Sequence, residues 1–265
     1  MTRTTRLLAG LALGLMASRA SAQVVFSEIL VNAPGTDQGN EYIELGGPNG
    51  ASLNNLTILI LEGDGASAGS IDQALSLSGQ SIGTSGLFLW RDAATVLSPA
   101  PNPGTTIKVQ DFNPDIENGG QTYLLVSNFS GALNQDLDTN NDGVIDLFPW
   151  ASVVAAIGYS QSTGDGAPSL NFADDFGGSF VPQQGFTPDA LALLGSTYYY
   201  MDVLGTTPGP FTSDPIQITP ALNPGASITL TPGSANVPEP TTLVLLAAGT
   251  ALGRIRRSAR ASAAV

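Results

Sequence analysis

The 265-residue chain contains no cysteine and no histidine. Lacking cysteine, it has no disulfide, no thiolate nucleophile, no iron–sulfur cluster and no cysteine-bound zinc. Lacking histidine, it has no Ser-His-Asp or Cys-His couple, no imidazole base and no imidazole-bound metal. Metal chemistry on oxygen ligands and acid–base work by carboxyls survive these exclusions. Cations are scarce as well: 9 Lys and Arg stand against 22 Asp and Glu, a formal charge of −13. They also sit at the ends. Arg3, Arg6 and Arg19 precede residue 23, and Arg254, Arg256, Arg257 and Arg260 close the chain, so residues 23–237 hold only Arg91 and Lys108 against 21 acids. A body of that charge repels phosphate backbones, whose binding needs a basic patch, and nucleic acid is not an expected partner.

The first 22 residues combine a basic start (Arg3, Arg6), an apolar run from Leu7 to Ala17 and the small-x-small sequence Ala20-Ser21-Ala22. This is the pattern of a secretory signal, with signal peptidase cutting after Ala22 to leave Gln23 at the new terminus. The far end carries Val237-Pro238-Glu239-Pro240, an apolar run from Thr241 to Gly253 and the arginine cluster. Thirteen residues of helix reach ~20 Å, short of a ~30 Å hydrocarbon core. The arginines behind it would stay cytoplasmic. A short apolar helix with a basic stop reads as a transient inner-membrane anchor or sorting tail.

Pro238-Glu239-Pro240, the apolar segment and Arg254, Arg256 and Arg257 resemble the PEP-CTERM sorting signal of Gram-negative bacteria. The resemblance implies recognition by an exosortase-type sorting protease, cleavage near the Pro-Glu-Pro, and delivery to the cell surface or extracellular matrix. That family context often involves exopolysaccharide and biofilm production.

Between the two addresses, residues 23–237 are rich in Gly and Pro and poor in charge. Short β-prone runs (Val24–Val31, Glu41–Leu45, Leu56–Glu62, Gly86–Arg91, Thr106–Gln110, Thr122–Ser127, Val153–Tyr159 and Ser227–Thr231) alternate with turn sequences such as Asn-Ala-Pro-Gly and Gly-Gly-Pro-Asn-Gly. Many short strands so punctuated predict an all-β sandwich or barrel. No long 3.6-residue period occurs away from the ends, and Gln73–Leu77 amounts to one helical turn at most. Alternation places Glu41, Ile43 and Leu45 on one face, Tyr42 and Glu44 on the other, and groups Glu28 with Phe26 and Leu30. With two cations available, acids among apolar neighbours are expected to pair with backbone amides or to protect sheet edges.

Val25-Phe-Ser-Glu28-Ile-Leu-Val-Asn32, a Pro-Gly turn and Gly39-Asn40-Glu41-Tyr42-Ile43-Glu44-Leu45 resemble the opening of a bacterial lamin-tail domain. Thr57–Gly63 fits its next strand, and Asp136–Asp146 with Pro149-Trp150 resembles secreted proteins carrying that domain. The resemblance implies an immunoglobulin-like β-sandwich over residues 23–160. A loop-rich extension over 161–230 packed on it, a linker at 231–237 and the sorting segment at 238–260 with its short helix complete the expected organisation.

The one local constellation with ligand spacing is Asp138-x-Asn140-x-Asp142-Gly143-Val144-Ile145-Asp146. It matches the first nine positions of a calcium loop: oxygen ligands at 1, 3 and 5, glycine at 6, the Val144 carbonyl at 7 and Asp146 at 9. Position 12, where a bidentate Glu belongs, is Pro149. Ca²⁺ therefore needs another donor, for which Asp136 is one candidate, and would bind in the weak range of ~10⁻⁴–10⁻³ M. The other reading is a solvated Asx turn. Carboxylate pairs such as Glu41/Glu44 or Asp174/Asp175 are what a glycosidase would use, but 21 acids produce pairs by coincidence. No nucleophile elbow, phosphate loop or dinucleotide motif occurs. Trp90, Trp150 and Tyr198–Tyr200 are candidates for stacking on sugars or for the core. The expected function is a non-enzymatic exported structural or adhesive protein; the alternatives are a calcium-assisted polysaccharide-binding module and, less favoured, a hydrolase.

Overall fold

The computed structural model describes residues 23–35, 39–95, 97–159, 170–181, 188–204, 212–213 and 229–236. Ala20 and Ala22, the sorting residues Pro238, Glu239, Pro240, Arg254, Arg256 and Arg257, and the expected terminal helix lie outside them. In chain order the strands are β1 (Val25–Leu30), β2 (Tyr42–Gly46), β3 (Leu56–Glu62), β4 (Ile71–Ser76), β5 (Leu87–Arg91), β6 (Thr106–Val109) and β7 (Gln121–Ser127). There follow β8 (Ser152–Tyr159), β9 (Ser179–Val181), β10 (Ala190–Leu194), β11 (Thr197–Met201), β12 (Val203–Leu204) and β13 (Thr212–Ser213). Two sheets pack face to face. One has the order β11-β10-β1-β2-β5-β6, the other β4-β3-β7-β8-β9, and β12 pairs only with β13. The ladders are antiparallel apart from β5–β6 and β8–β9. The protein is all-β and sandwich-like, as its strand punctuation predicts.

Apolar side chains fill three zones. The central one lies between the sheets, where Phe26, Ile43, Leu45, Phe88 and Trp90 meet Ile58, Ile60, Tyr123, Leu125 and Tyr159. A second covers the outer face of the six-stranded sheet with Leu30, Tyr42, Leu89, Met201 and Leu230. A third covers the outer face of the five-stranded sheet, where Leu59, Leu61, Leu124 and Val126 are sealed by Leu137, Ile145 and Phe172 from the connecting loops. This double coverage explains why β3 reads Leu-Thr-Ile-Leu-Ile-Leu-Glu without clean alternation: a strand buried on both faces needs apolar residues at successive positions.

The structure corrects several sequence expectations. Gln73–Leu77 is no helical turn but mostly β4, with Ile71 and Gln73 buried at alternate positions. Glu28 does not share a face with Phe26. The register jumps from Phe26↔Leu45 to Glu28↔Glu44, making Ser27 an extra residue. A bulge of this kind turns the following side chains to the opposite face. Phe26 therefore enters the central core, while Glu28 lies outside beside Glu44 and Tyr42. The segment 161–230, read as loops, contains β10 and β11, which extend the first sheet through β10–β1 pairing. Their hairpin was legible: Ala-Leu-Ala-Leu-Leu, the two residues Gly195-Ser196, then Thr-Tyr-Tyr-Tyr-Met, with Gly195 at φ +65°. The strand expected over Ser227–Thr231 is described only from Thr229, and Leu230 lies in the outer zone of the first sheet.

Candidate functional site

The Asp138–Asp146 loop lies in the connection between β7 and β8, pinned by buried Leu137 and Ile145. Of its side chains Asp138 is buried, while Asn140, Asp142 and Asp146 are exposed. Asp138 is fully buried, accepting the Asp142 N–H at 3.1 Å on Oδ1 and the Gly143 N–H at 2.8 Å on Oδ2. Asn140 Oδ1 accepts the Asp142 N–H at 2.9 Å, and Asp142 Oδ1 accepts that of exposed Val144 at 3.0 Å. Asp146 Oδ2 takes the Thr139 hydroxyl at 2.9 Å, and Asp136 Oδ1 takes the Asp138 N–H. Gly143 has φ +87°, a turn that side chains resist. Sequence spacing missed Asp175, which arrives from a 3₁₀ turn at Asp174–Phe176 and accepts the Ile145 N–H at 3.1 Å. Burial pushes the Asp175 carboxyl above its usual range, opposed by that N–H and reinforced by Asp174, Asp138 and Asp142.

Three aromatic rings stand beside this loop. Phe148, Trp150 and Phe176 form mutual edge-to-face contacts at 6.1, 6.2 and 5.8 Å, and Phe148 is 56% exposed. The other aromatic candidates are engaged elsewhere. Trp90 is buried with Nε1–H on the Gln110 carbonyl, and Lys108 Nζ lies 3.5 Å from its ring centroid. Tyr198 and Tyr200 face the central core and donate to the Phe26 and Gly158 carbonyls. Tyr199, on the other face, packs against the outer zone of the first sheet.

A second acidic constellation was not singled out by sequence spacing. Oxygens of Glu62 (end of β3), Asp72 (β4) and Glu117 (between β6 and β7) all lie within 4.8 Å of one another, the one such trio of acids among the described residues. The β3–β4 register jumps from Ile60↔Gln73 to Leu61↔Ile71, leaving Asp72 as a bulge residue. Asp72, Gln73 and Glu117 line a cavity of about 240 Å³ together with Pro114, Gln121 and Asn134. Burial, with a hydrogen bond to Glu117 and the charges of Asp72 and Glu117, pushes Glu62 up to about 8 against the pull of the Asp64 N–H. Burial and Glu117 push Asp72 up to about 6. No local sequence pattern signals this trio, because its members are joined only through the β3–β4 pairing and the β6–β7 connection.

A third acidic pair holds the last described segment. Glu28 and Glu44 are directly opposite on β1 and β2 and fully buried. Glu28 accepts the Tyr42 hydroxyl and the Thr231 N–H. Glu44 accepts the Ser27 hydroxyl at 2.7 Å and the Gly233 N–H at 2.6 Å. Burial is the main cause that raises Glu28 to about 7; burial and the Glu28 charge raise Glu44 to about 8. Residues 231–236, expected as part of a linker, are thereby laid on the sandwich. Glu41, on the inner face, instead accepts the Ile116 N–H, so Glu41 and Glu44 point away from each other. No helix among the described residues is long and apolar enough to cross a membrane. Comparison with protein-family models, curated proteins and solved structures gave no match.

Proposed function

We propose that the protein is an exported, non-enzymatic surface or extracellular-matrix component, anchored transiently in the inner membrane and released or transferred by an exosortase-type protease. The observation that carries this reading is the order Pro238-Glu239-Pro240, apolar run, arginine cluster at one end, paired with the basic-apolar-Ala20-x-Ala22 sequence at the other. The immunoglobulin-like, lamin-tail-like identity of the sandwich belongs to the same proposal. The disposition of the acids supports a structural role. Glu28, Glu41, Glu44 and Asp92 are committed to backbone N–H groups of distant segments, the use a framework makes of carboxylates. The test is fractionation of producing cells and mass spectrometry of the native protein. The expected product begins at Gln23, ends near residues 237–240 and is found at the surface or in the medium. A full-length chain with both ends intact in the cytoplasm overturns the reading.

A second reading, a calcium-assisted polysaccharide-binding module, is favoured by one observation. Partly exposed Phe148, with Trp150 and Phe176, adjoins the Asp138–Asp146 loop and Asp175, which combines an apolar stacking surface with hard oxygen donors. Glycan-array signal that needs Ca²⁺ and is lost in Phe148→Ala and Trp150→Ala would carry it; a signal indifferent to both would end it.

A further inference from the structure

We propose that Glu62, Asp72 and Glu117, with the side-chain carbonyl of Gln73, form a second divalent-cation site, suited to Ca²⁺, that ties the β6–β7 connection to the β3–β4 edge of the sandwich. The carboxylates come from three separate segments, yet their oxygens converge within 4.8 Å. The two cations of the described body are engaged elsewhere: Arg91 Nη1 donates to the carbonyls of Asp92, Ala93 and Thr95, and Lys108 lies over Trp90. Like charges so crowded repel unless protons or a metal neutralise them.

Gln73 supplies the independent evidence. It is 3% exposed, and its Nε2 donates to the Pro114 carbonyl at 2.8 Å. That bond fixes the amide's orientation, since a flip would set two carbonyl oxygens against each other. Gln73 Oε1 is left buried without a hydrogen-bond partner, as is Asp72 Oδ2, and both residues line the same cavity. A buried acceptor left unpaired costs about 1–3 kcal/mol. Two such oxygens next to converging carboxylates are donors set for a cation.

The donor set points to the ion: carboxylates and an amide carbonyl make an all-oxygen protein set that suits Ca²⁺ better than Mg²⁺, which dehydrates reluctantly and keeps several of its waters. The cavity of about 240 Å³ leaves room for waters, each of about 30 Å³, to complete the shell. β4 and β6 are the edge strands of their respective sheets, so an ion here clips the crossover between the sheets at the open side.

The test uses the full chain stripped with EDTA, with Ca²⁺ binding measured by equilibrium dialysis well below the melting temperature and thermal melting followed alongside. Glu117→Gln and Asp72→Asn should each lose one equivalent of Ca²⁺ or weaken it at least tenfold, and shrink the calcium-induced rise in Tm. Asp142→Ala should retain that equivalent, which separates this site from the 138–146 loop. In EDTA, Glu117→Gln should melt no lower than the parent, because relief of repulsion opposes any loss of folding. The proposal fails if both variants bind as many Ca²⁺ as the parent, or if all binding disappears with Asp142→Ala. Equal binding and stabilisation by Mg²⁺ would overturn the assignment to Ca²⁺. Because no export step enters the measurement, its failure leaves the surface-protein reading standing, and the reverse also holds.

Discussion

Glu28 and Glu44 are neutralised by the fold itself, and this has a definite signature in pH. Burial holds them at about 7 and about 8 against an ordinary value of 4.5. Below pH 4.5 both are protonated whether the chain is folded or not. From there to about pH 8 the folded state keeps protons that the unfolded chain has released, so stability falls as pH rises. The expected result is a lower Tm at pH 8 than at pH 5. Glu62 and Asp189, held at about 8 and about 7, add to the same slope. Glu44→Gln keeps an acceptor for the Gly233 N–H and removes the ionisation, so it should flatten the Tm–pH profile and raise Tm at pH 8; an unchanged slope would contradict the assignment. Asp138 acts as an acceptor whose removal strands a donor. Asp138→Ala leaves the Gly143 N–H without its partner and the Asp142 N–H with Asn140 alone. It should cost about 1–3 kcal/mol in urea denaturation with calcium absent.

The strands divide by how local their evidence is. β3, β5, β7 and β8 were legible because each is a compact aliphatic or aromatic run closed by Gly, Asp, Asn or Ser. β4 was misread because Ile-Asp-Gln-Ala-Leu-Ser mixes helix formers with buried polar residues, and its strand state comes from pairing with β3. β10 and β11 carry a local hairpin signal around Gly195, but their place beside β1, 160 residues away, cannot be read from it. The Ser27 bulge was invisible for the same reason: a one-residue register change is a property of two strands together. The candidate sites follow the same rule. The 138–146 ligands are near neighbours and could be read from spacing, whereas Asp175 and the Glu62–Asp72–Glu117 trio come from separated segments and could not. Tyr200 shows what such distant pieces contribute once assembled. From β11 in the first sheet it donates to the Gly158 carbonyl of β8 in the second at 3.1 Å, while its ring packs edge-on against Tyr159. Tyr200→Phe keeps the ring and deletes the inter-sheet bond, so it should lower unfolding free energy by about 1 kcal/mol in a denaturant titration without changing the m-value.

Acids are the fastening device of the whole molecule. The described chain has only Arg91 and Lys108 to offer as counter-charges, and carboxylates instead capture N–H groups of remote loops: Asp92 holds Glu41 and Phe112, Asp64 holds Gly120, Asp189 holds Val203. The same device brings the two ends of the folded body together. Glu28 on the first strand binds Thr231, and Asn236 Nδ2 donates to the Ser27 and Leu193 carbonyls. Asn236, next to Val237-Pro238-Glu239, is thus tied to β1, the strand that follows the expected new N-terminus at Gln23. Residues 231–236, which precede the proposed cleavage sequence, are fastened to the body by these bonds. Gly233 is the weak point of this attachment. It has φ +79°, its carbonyl accepts from the Asn102 N–H and the Thr105 hydroxyl, and a Cβ there would lie 2.5 Å from Pro101 Cβ. Gly233→Ala combines backbone strain with that clash and should loosen residues 229–236 while the strand pairings of both sheets stay in place. The expected outcome is faster limited proteolysis confined to residues 229–240, with β-sheet circular dichroism unchanged. Equal proteolysis of parent and variant would mean that the glutamate pair does not govern access to this end of the chain.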